Sequence, residues 1–195
     1  MENIWNQRYA QEEYVYGVNP NEFYKEELSK LQPGKILFPA EGEGRNAVYA
    51  AIKGWDVVAF DSSEEAKKKA EKLAEKNNVR LNYQTASIEE FEFEENSFDA
   101  IVLIYVHTMN REENHQKLLR LLKPGGVIIL EGFSKEQLVN NSGGPRNLEM
   151  LFSEEELTRD FNDLKEKQIT KTETELNEGQ LHKGKASVIR LLGDK

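Results

Sequence analysis

The sequence predicts an α/β protein built around a doubly wound, largely parallel sheet. Apolar runs of strand length alternate with segments of helical periodicity from about residue 35 to about residue 130. The run at 100–106 is almost continuously apolar, which is typical of a strand buried on both faces of a parallel sheet. Strands that alternate with helices at this spacing are joined by right-handed crossovers, so we expect helices on both faces.

Length and composition favour one globular domain. A chain of 195 residues has room for one full hydrophobic core and little room for two, so we predict a single domain over 1–195. No stretch approaches the roughly 20 apolar residues of a membrane span, and the first residues lack the features of a signal peptide. The chain has no cysteine, which excludes disulfides and thiolate metal sites. These features favour a cytoplasmic protein without a membrane partner.

The charge distribution argues against a nucleic-acid partner. The net charge is −9, whereas binding to nucleic acid or to an anionic membrane needs a concentrated basic face. The longest basic cluster, 67–69, is flanked by acidic residues and is interpreted as a solvated helix face. The three histidines are far apart and lack the i, i+4 spacing of helical ligands, so no metal site is expected.

An aromatic segment precedes the first strand. Two helical stretches, 3–11 and 21–31, flank a loop that ends in Pro20. We predict that residues 1–34 form a helical lid segment before a ligand-binding core at 35–195. Packing of aromatic side chains against the core explains the same pattern equally well. The side chains proposed to face the substrate are Trp5, Tyr9 and Tyr16.

The central motif is a glycine turn between a strand and a helix. Residues 36–38 are predicted to form a short buried strand, and the apolar positions of 47–52 indicate a helix. Gly42 and Gly44 lie between them, where glycine permits a sharp turn and the close approach of a ligand. We expect a side chain at Gly44 to occupy ligand space. Free N–H groups at the helix start favour a hydrogen-bond acceptor or an anion.

A carboxylate at the end of the second predicted strand indicates which class of ligand this turn binds. The run at 57–60 ends in Asp61, which lies 19 residues beyond Gly42. An acidic residue at about this distance is where a nucleoside ribose finds an acceptor for its hydroxyl groups. Ser62 and Glu65 have capping-box spacing, so Asp61 is also an ordinary residue beside a helix start, and the two interpretations are compatible.

The remaining predicted elements follow the same alternation and then depart from it. Helices are predicted at 66–74 and 115–122, and strands at 79–85, 100–106 and 127–130, with a turn at 123–126. Helices are predicted to begin near residues 134 and 153. Two final strands, 165–176 and 186–192, are predicted to form a hairpin through Asn177-Glu178-Gly179 rather than another crossover.

Together these motifs resemble the class I methyltransferases that use S-adenosyl-L-methionine (SAM), and within them the small tellurite-resistance and thiopurine-type branch. The resemblance covers nearly the whole chain. It implies a Rossmann-like sheet of seven strands, mostly parallel, whose C-terminal antiparallel hairpin forms one edge. The motifs that carry it are Glu41-Gly42-Glu43-Gly44-Arg45-Asn46, Asp61, Phe98-Asp99 and Leu121-Leu122-Lys123-Pro124-Gly125-Gly126.

The resemblance implies a SAM site with two departures from the usual residues. Phe38 stands where the family usually has an acid, and Glu41 or Glu43 is proposed to supply the missing charge for the cofactor's ammonium group. Ser87 stands where an acid usually lies near the adenine, and Ser87 with the Ile88 backbone is proposed to bond it. The expected cofactor-binding residues are Glu41, Gly42, Glu43, Gly44, Asn46, Asp61, Ser62, Ser87 and Ile88.

The resemblance also implies transfer of a methyl group to a small acceptor, such as a thiol, a chalcogen oxyanion or another small nucleophile. His107, at the tip of the fourth strand, is the candidate general base, and a strand-end histidine bonded to backbone is the alternative. His182, in the hairpin turn, is a second candidate for contact with the substrate. Residues 107–109 lack the Asn/Asp-Pro-Pro-aromatic motif of nucleic-acid amino methyltransferases, which agrees with the acidic charge.

Two other functions remain open from the sequence. Gly42, Gly44 and Ala47 also satisfy the loose dinucleotide fingerprint, so an NAD(P)-dependent oxidoreductase is an alternative. Tyr49 and Lys53 have the spacing of a Tyr-x-x-x-Lys proton relay, but they lie in the helix directly after the glycines, far from where a nicotinamide would sit. A non-catalytic SAM-binding regulatory protein is the third possibility.

Overall fold

A computed structural model describes residues 4–195 of the chain. The chain divides into two compact units. The first contains the chain up to Glu92 together with Glu178–Leu181, and the second contains Phe93–Asn177 and His182–Lys195. Residues 1–3 of the predicted lid segment lie outside the described residues. The single domain over 1–195 stays a prediction.

The elements within residues 4–195 alternate as expected. The helices are α1 Ile4–Tyr9, α2 Glu22–Leu28, α3 Arg45–Ile52, α4 Glu64–Lys76, α5 Arg111–Leu121 and α6 Glu154–Asp160. The strands are β1 Lys35–Pro39, β2 Asp56–Asp61, β3 Asn82–Thr85, β4 Phe98–Ile104, β5 Leu122–Phe133, β6 Glu166–Glu178 and β7 His182–Asp194. Two short 3-10 helices, Lys135–Val139 and Leu148–Met150, follow β5.

The strands form the sheet that the sequence predicts. Within residues 4–195, seven strands have the order β3-β2-β1-β4-β5-β7-β6. Strand β2 pairs in parallel with β1 and β3, and β4 pairs in parallel with β5. Strand β7 pairs antiparallel with β5 and turns the C-terminal hairpin into the edge of the sheet. The doubly wound, mostly parallel seven-stranded fold is therefore confirmed.

The core of the first unit explains why its strands are short apolar runs. Residues 36–38 of β1 have no exposed surface, and residues 57–60 of β2 are at most 3% exposed. Helix α4 begins at a cap made by Ser63, whose hydroxyl accepts from the Ala66 N–H at 3.2 Å. The expected cap at Ser62 is wrong by one residue, because Ser63 is buried here whereas Ser62 is exposed. Strand β3 starts only at Asn82.

The second unit differs from the prediction at the start of β5. The expected turn at 123–126 lies inside the strand, because the Gly125 N–H donates to the Lys195 carbonyl and the Lys195 N–H donates to the Gly126 carbonyl. Helix α6 begins with the capping box of Ser153 and Glu156. The apolar residues of β4 and β5 that face the core are almost fully buried. This unit thus holds the antiparallel edge that the C-terminal sequence predicts.

Candidate cofactor site and a second polar cluster

The glycine turn has a left-handed backbone at three positions within five residues. The φ angles are +48° at Ala40, +67° at Gly42 and +87° at Gly44. Ala40 pays the steric penalty of a Cβ in this region, which costs about 1–2 kcal/mol. Such strain is kept where the surrounding structure imposes it, often at a ligand site. A Cβ at Gly42 would lie 2.8 Å from the hydroxyl oxygen of Tyr9, so a side chain at residue 42 would have to displace the tyrosine ring.

Gly44 has a different role from the expected one. A Cβ at this position would lie 2.6 Å from the Cβ and 2.8 Å from the Cα of Ala70 in α4. The nearest atoms therefore belong to a packed helix, and the expectation that a side chain at residue 44 would fill ligand space is wrong. Gly44 allows α3 and α4 to approach each other, and contact of its backbone with the cofactor stays a prediction.

Asp61 lies directly against the glycine turn. Its Oδ2 accepts from the Gly42 N–H at 3.0 Å, and its Oδ1 accepts from the Ser63 N–H at 2.9 Å. The residue is 6% exposed, and burial raises the pKa of its carboxyl although the two N–H groups oppose that rise. The structure thus brings together the glycine turn and Asp61, as the sequence predicts. Asp61 also stabilises the turn through its hydrogen bond with Gly42.

Glu41 occupies the start of helix α3. Its Oε1 accepts from the N–H groups of Asn46 at 2.9 Å and Ala47 at 2.8 Å. Burial raises the pKa of Glu41 to about 7, against the lowering effect of these N–H groups and of Arg45. The N–H groups of the helix N-terminus, where a pyrophosphate would bind, are therefore already occupied by a carboxyl oxygen. A cationic ligand suits this environment and an anionic one does not.

The Glu43 side chain binds Lys69 and the backbone of Tyr16. It is 4% exposed and forms an ion pair with Lys69 of α4 at 2.7 Å. Its Oε2 also accepts from the Tyr16 N–H at 3.3 Å. Of the two glutamates proposed to meet the cofactor's ammonium group, only Glu41 retains an environment suited to that role. Glu43 ties the N-terminal residues to α4.

The turn after β3 lies next to the end of β2. The Ala86 N–H donates to the Asp61 carbonyl at 3.0 Å. Ser87 forms a reciprocal pair with Glu90, since its N–H donates to Oε2 at 3.0 Å and its hydroxyl accepts from the Glu90 N–H at 3.2 Å. Ile88 is buried. This fixes the turn, and the proposed contacts of Ser87 and Ile88 with adenine stay predictions.

Residues 4–21, which we call the N-terminal strap, pack on this site. Ser63 donates to Asn6 at 2.6 Å, next to Asp61. Tyr9 is 5% exposed and lies between the rings of Trp5 and Tyr16, with centroids 5.8 and 6.4 Å away. The predicted aromatic segment therefore covers the glycine turn within the first unit. Whether it moves as a lid stays a prediction.

The tip of the C-terminal hairpin, residues 178–181, forms hydrogen bonds with the N-terminal strap. Glu178 forms an ion pair with Arg45 at 3.0 Å and accepts from the Asn21 side chain at 3.2 Å. The Gln180 N–H donates to the Val15 carbonyl at 2.9 Å. Sequence reasoning missed the ion pair between Arg45 and Glu178. The two residues lie 133 positions apart, and no local pattern links the glycine turn to the hairpin tip.

In the second unit, His107 is held by the backbone on both sides of its ring. Nδ1 lies 2.7 Å from the Met150 carbonyl and so carries the proton, and Nε2 accepts from the Phe133 N–H at 3.1 Å. Burial lowers the pKa of His107 to about 4. Both nitrogens therefore have backbone partners, as in the alternative of a strand-end histidine, and the role of His107 as a general base stays a prediction.

The second unit contains a polar cluster of which the sequence indicated only His182. Tyr105, directly after β4, has φ +57°, a conformation that costs a bulky residue about 1–3 kcal/mol. Its hydroxyl donates to Glu131 Oε1 at 2.8 Å, and Arg190 Nε donates to Glu131 Oε2 at 2.6 Å. Glu131 is 1% exposed. His182, 6% exposed, packs edge-on against Tyr105 with ring centroids 4.6 Å apart.

A second ionic network in this unit connects α5 to α6. Asp160 is fully buried and accepts from Arg111 at 2.7 Å and from His115 at 2.8 Å. Glu156 pairs with Arg111 and with Lys135 beside an open groove of about 910 Å³. These charges are matched between helices, so we assign the network to folding. Among residues 4–195, no group of three or more His, Asp or Glu is placed to hold a metal ion.

This chain is similar in sequence to known methyltransferases. The profile of a family described as "Methyltransferase domain" matches residues 36–126. A ubiquinone biosynthesis O-methyltransferase from Rickettsia akari is 32% identical over 114 residues, which cover 57% of this chain and 44% of that protein. A tRNA (uracil(54)-C(5))-methyltransferase from Pyrococcus horikoshii is 29% identical over 147 residues, covering 67% of this chain and 35% of that protein. The chain thus spans less than half the length of these relatives.

Solved structures show the same fold. TehB from Haemophilus influenzae aligns with a TM-score of 0.70 and 19% identity, over 100% of this chain and 66% of that chain. A SAM-dependent methyltransferase from Thermotoga maritima, described as a possible histamine N-methyltransferase, aligns with a TM-score of 0.63 and 17% identity, over 89% of this chain and 86% of that chain. Within residues 4–195, none of the helices has the length and apolar character needed to span a bilayer.

Proposed function

We propose that this chain, a class I SAM-dependent methyltransferase by its fold and by the domain matched over residues 36–126, transfers a methyl group from SAM to a small-molecule acceptor. The observation that carries the proposal is the pair of carboxylates at the glycine turn. Asp61 is held there by the Gly42 N–H, and Glu41 caps α3. A site lined by carboxylates suits a cation that also carries ribose hydroxyl groups.

The residues of the first unit fit SAM in distinct ways. The Asp61 oxygens each use one lone pair on the backbone and keep further acceptor capacity for ribose hydroxyls. Glu41, with a pKa of about 7 in the free protein, becomes fully ionised beside a bound ammonium group. Gly42 provides a backbone surface without a Cβ. When bound, SAM supplies an electrophilic methyl group, and the protein aligns the acceptor with it and excludes water.

The acceptor is proposed to be a small molecule, in line with the tellurite-resistance and thiopurine-type branch, which the similarity of fold to TehB supports. The net charge is −9. The lysines of α4 also pair with carboxylates, Lys67 with Glu71 at 3.9 Å and Lys68 with Glu65 at 2.6 Å, so this basic run does not form an open cationic face. Because one relative is named as a tRNA methyltransferase, RNA belongs in the test.

The dinucleotide alternative is disfavoured by the same turn. Glu41 occupies the N–H groups that would receive a pyrophosphate, and its carboxylate would repel that anion. Tyr49 and Lys53 also interact with each other, since the lysine nitrogen lies 5.4 Å from the centre of the tyrosine ring. That arrangement does not form a proton relay toward a nicotinamide.

The N-terminal strap is proposed to be a lid over the cofactor. Its contacts fall on the glycine turn, on Ser63 and on Lys69, which surround the predicted cofactor groups. Loops that close over a reactive ligand exclude water and slow its release. We expect limited proteolysis near Tyr16 to slow when SAM is added. Cleavage at an unchanged rate would leave the strap as packing alone.

Two measurements test the function. Calorimetry is expected to show binding of SAM and of its demethylated product, with NAD much weaker; tight NAD binding without SAM binding would refute the proposal. A transfer assay with labelled SAM is then run against small thiols, phenols, amines, chalcogen anions and unmodified tRNA. Label on a small acceptor supports the proposal, label on tRNA alone replaces the acceptor class, and SAM binding without any transfer indicates a regulatory protein.

A further inference from the structure

The hydroxyl group of Tyr9 lies at the glycine turn, within the first unit. Its oxygen is 2.8 Å from the point that a Cβ at Gly42 would occupy. Tyr9 belongs to α1 and is only 5% exposed. Its ring packs with Val15 and Ala66 in one core cluster and stacks on the Trp5 ring, with centroids 5.8 Å apart. This packing holds the hydroxyl group against the turn.

The Tyr9 hydroxyl group forms no hydrogen bond within residues 4–195. The Gly42 backbone beside it already has other partners, since its N–H donates to Asp61 at 3.0 Å and its carbonyl accepts from the Tyr83 hydroxyl at 2.7 Å. A polar group that is buried without a partner lowers stability. Because such a group is kept at a predicted ligand site, we expect its partner to be the ligand.

The Tyr9 hydroxyl group is a neutral donor that a ligand can reach. Burial raises the pKa of Tyr9 well above that of a free phenol, and the charge of Asp61 adds to the rise. The phenol therefore keeps its proton at neutral pH. Every fully buried polar side-chain atom within residues 4–195 has a hydrogen-bond partner, so the unpartnered Tyr9 oxygen retains some accessible surface. A ligand at the turn can accept its hydrogen bond.

The charges around the turn indicate which ligand group accepts this bond. Glu41 and Asp61 are proposed to bind the ammonium group and the ribose of SAM. The amino-acid end of SAM also carries a carboxylate, which these two acids repel. Lys69 is close to the turn but pairs with Glu43 at 2.7 Å. A neutral O–H donor beside the acids therefore suits the carboxylate of SAM.

A cation of the N-terminal strap supports an anion at this point. The Arg8 guanidinium donates to the Tyr16 hydroxyl at 3.0 Å, and its carbon lies 4.6 Å from the centre of the Trp5 ring. Its charge acts on Tyr9, whose pKa it lowers against the larger effect of burial. Attraction from Arg8 therefore reduces the repulsion that a ligand carboxylate meets from the acids of the turn.

We propose that the Tyr9 hydroxyl group donates a hydrogen bond to the carboxylate of SAM and makes the cofactor site selective for ligands that carry this group. The inference rests on the proposed methyltransferase function and adds a residue of the strap to its cofactor site. Tyr9 is a specificity-determining residue and takes no part in the transfer of the methyl group. The strap thus contributes a polar contact as well as aromatic cover.

The test compares SAM with decarboxylated SAM, which keeps the sulfonium, ribose and ammonium groups and lacks only the carboxylate. Calorimetry with both ligands is done on the full chain and on Tyr9→Phe. In the variant, SAM affinity is expected to fall by about 10- to 100-fold, the range for loss of a hydrogen bond to a charged group. Affinity for decarboxylated SAM is expected to change less than about threefold, because the hydroxyl has no acceptor in that ligand.

Tyr14→Phe is the matched control, because it removes a strap hydroxyl that donates to the Lys69 carbonyl at 3.1 Å. It is expected to change the affinity for both ligands by the same factor. Urea unfolding provides a readout without ligand. Tyr9→Phe should unfold at the same urea concentration as the wild type or at a higher one, since it loses an unpartnered polar group, whereas Tyr14→Phe should unfold at a lower one.

The outcomes separate the role of Tyr9 from the function beneath it. Loss of affinity for SAM alone, in a variant as stable as the wild type, supports the inference. Equal losses for both ligands, unchanged SAM affinity, or an unstable or unfolded Tyr9→Phe protein overturns it and leaves the methyltransferase proposal intact. A wild type that binds neither ligand overturns both.

Discussion

The two units place their functional groups in different ways. In the first, the glycine turn and Asp61 come from two consecutive strand ends, and their oxygens accept from backbone N–H groups such as that of Gly42. In the second, the polar cluster consists of Tyr105 directly after β4, Glu131 in β5, and His182 and Arg190 in β7. The hydrogen bonds that Glu131 accepts from Tyr105 and from Arg190 run between side chains. Because Asp61 accepts hydrogen bonds from backbone N–H groups, removing its carboxylate is expected to lower both the stability of the protein and its affinity for the ligand.

The two units also respond to pH in opposite ways, because each contains a buried titratable group whose pKa is shifted, upward for Glu41 and downward for His107. Burial raises the pKa of Glu41 to about 7 and lowers that of His107 to about 4. For the glutamate, the unfolded chain loses its proton first, so stability is lost as pH rises from about 4.5 to about 7. For the histidine, the unfolded chain gains a proton first, so stability is lost as pH falls from about 6.5 to about 4.

The largest expected effect tests the local construction of the first unit. Gly44→Val is expected to lower the free energy of unfolding by about 3–5 kcal/mol, because it adds a collision with Ala70 to the strain of a positive φ. Gly54→Val is the matched control, since Gly54 has φ +89° and open space around its Cβ position. It should lose only the strain, about 1–3 kcal/mol. Urea unfolding measures both, and equal losses would show that the packing against α4 does not matter.

Asp61→Ala tests whether binding and stability are linked in the first unit. We expect SAM affinity to fall by about 1.5–3 kcal/mol, the range for losing hydrogen bonds to a charged acceptor. The free energy of unfolding should also fall by about 1–3 kcal/mol, because the N–H groups of Gly42 and Ser63 lose their buried acceptor. Calorimetry and urea unfolding on the same samples measure the two losses. Unchanged SAM affinity in a folded variant would place the ribose site elsewhere.

His107→Gln tests the second unit at acid pH. The wild type is expected to lose about 2 kcal/mol of stability between pH 6.5 and pH 4.5 through this histidine, and the variant is expected to lose that much less. At pH 7 the variant should be less stable, since two backbone bonds are weakened. Urea unfolding at both pH values measures the difference. Equal acid sensitivity in the two proteins would contradict the low pKa.

Glu41→Gln is expected to separate stability from binding. At pH 8 the variant should be about 1–2 kcal/mol more stable than the wild type, because a desolvated charge is removed while an oxygen still caps α3. Its SAM affinity should be lower and independent of pH, whereas wild-type affinity should weaken as pH falls below about 7. Glu12→Gln, at an exposed carboxylate, is the control. Parallel pH profiles for wild type and variant would remove Glu41 from the site.

The smallest expected effect concerns the N-terminal strap. Asn6→Ala removes the acceptor of the Ser63 hydroxyl and should weaken closure by about 1 kcal/mol, so proteolysis near Tyr16 should become roughly fivefold faster. Global stability should change little. Gln11→Ala, at an exposed position of the same segment, is the control. A variant cleaved at the wild-type rate would show that this contact does not hold the strap.

Patterns along the chain predict the alternation of strands and helices, the C-terminal hairpin, and the pairing of the glycine turn with Asp61. These depend on periodicity along the chain and on strand ends that a short crossover brings to the same edge of a parallel sheet. For that reason the sequence alone predicts Asp61 beside Gly42. The cap at Ser63 instead of Ser62 differs by one residue, because side-chain burial selects between adjacent serines.

The partners of the other charged groups depend on contacts between residues far apart in the chain. Glu43 meets Lys69 across 26 residues, and Glu131 meets Tyr105 across 26 and Arg190 across 59. Nothing in the local pattern marks these residues, since a glutamate in a turn or a strand has the same propensity whichever cation it meets. The partner of Glu131 is set by the register of β5 with β7, and that register follows from burying the apolar residues of both strands at once.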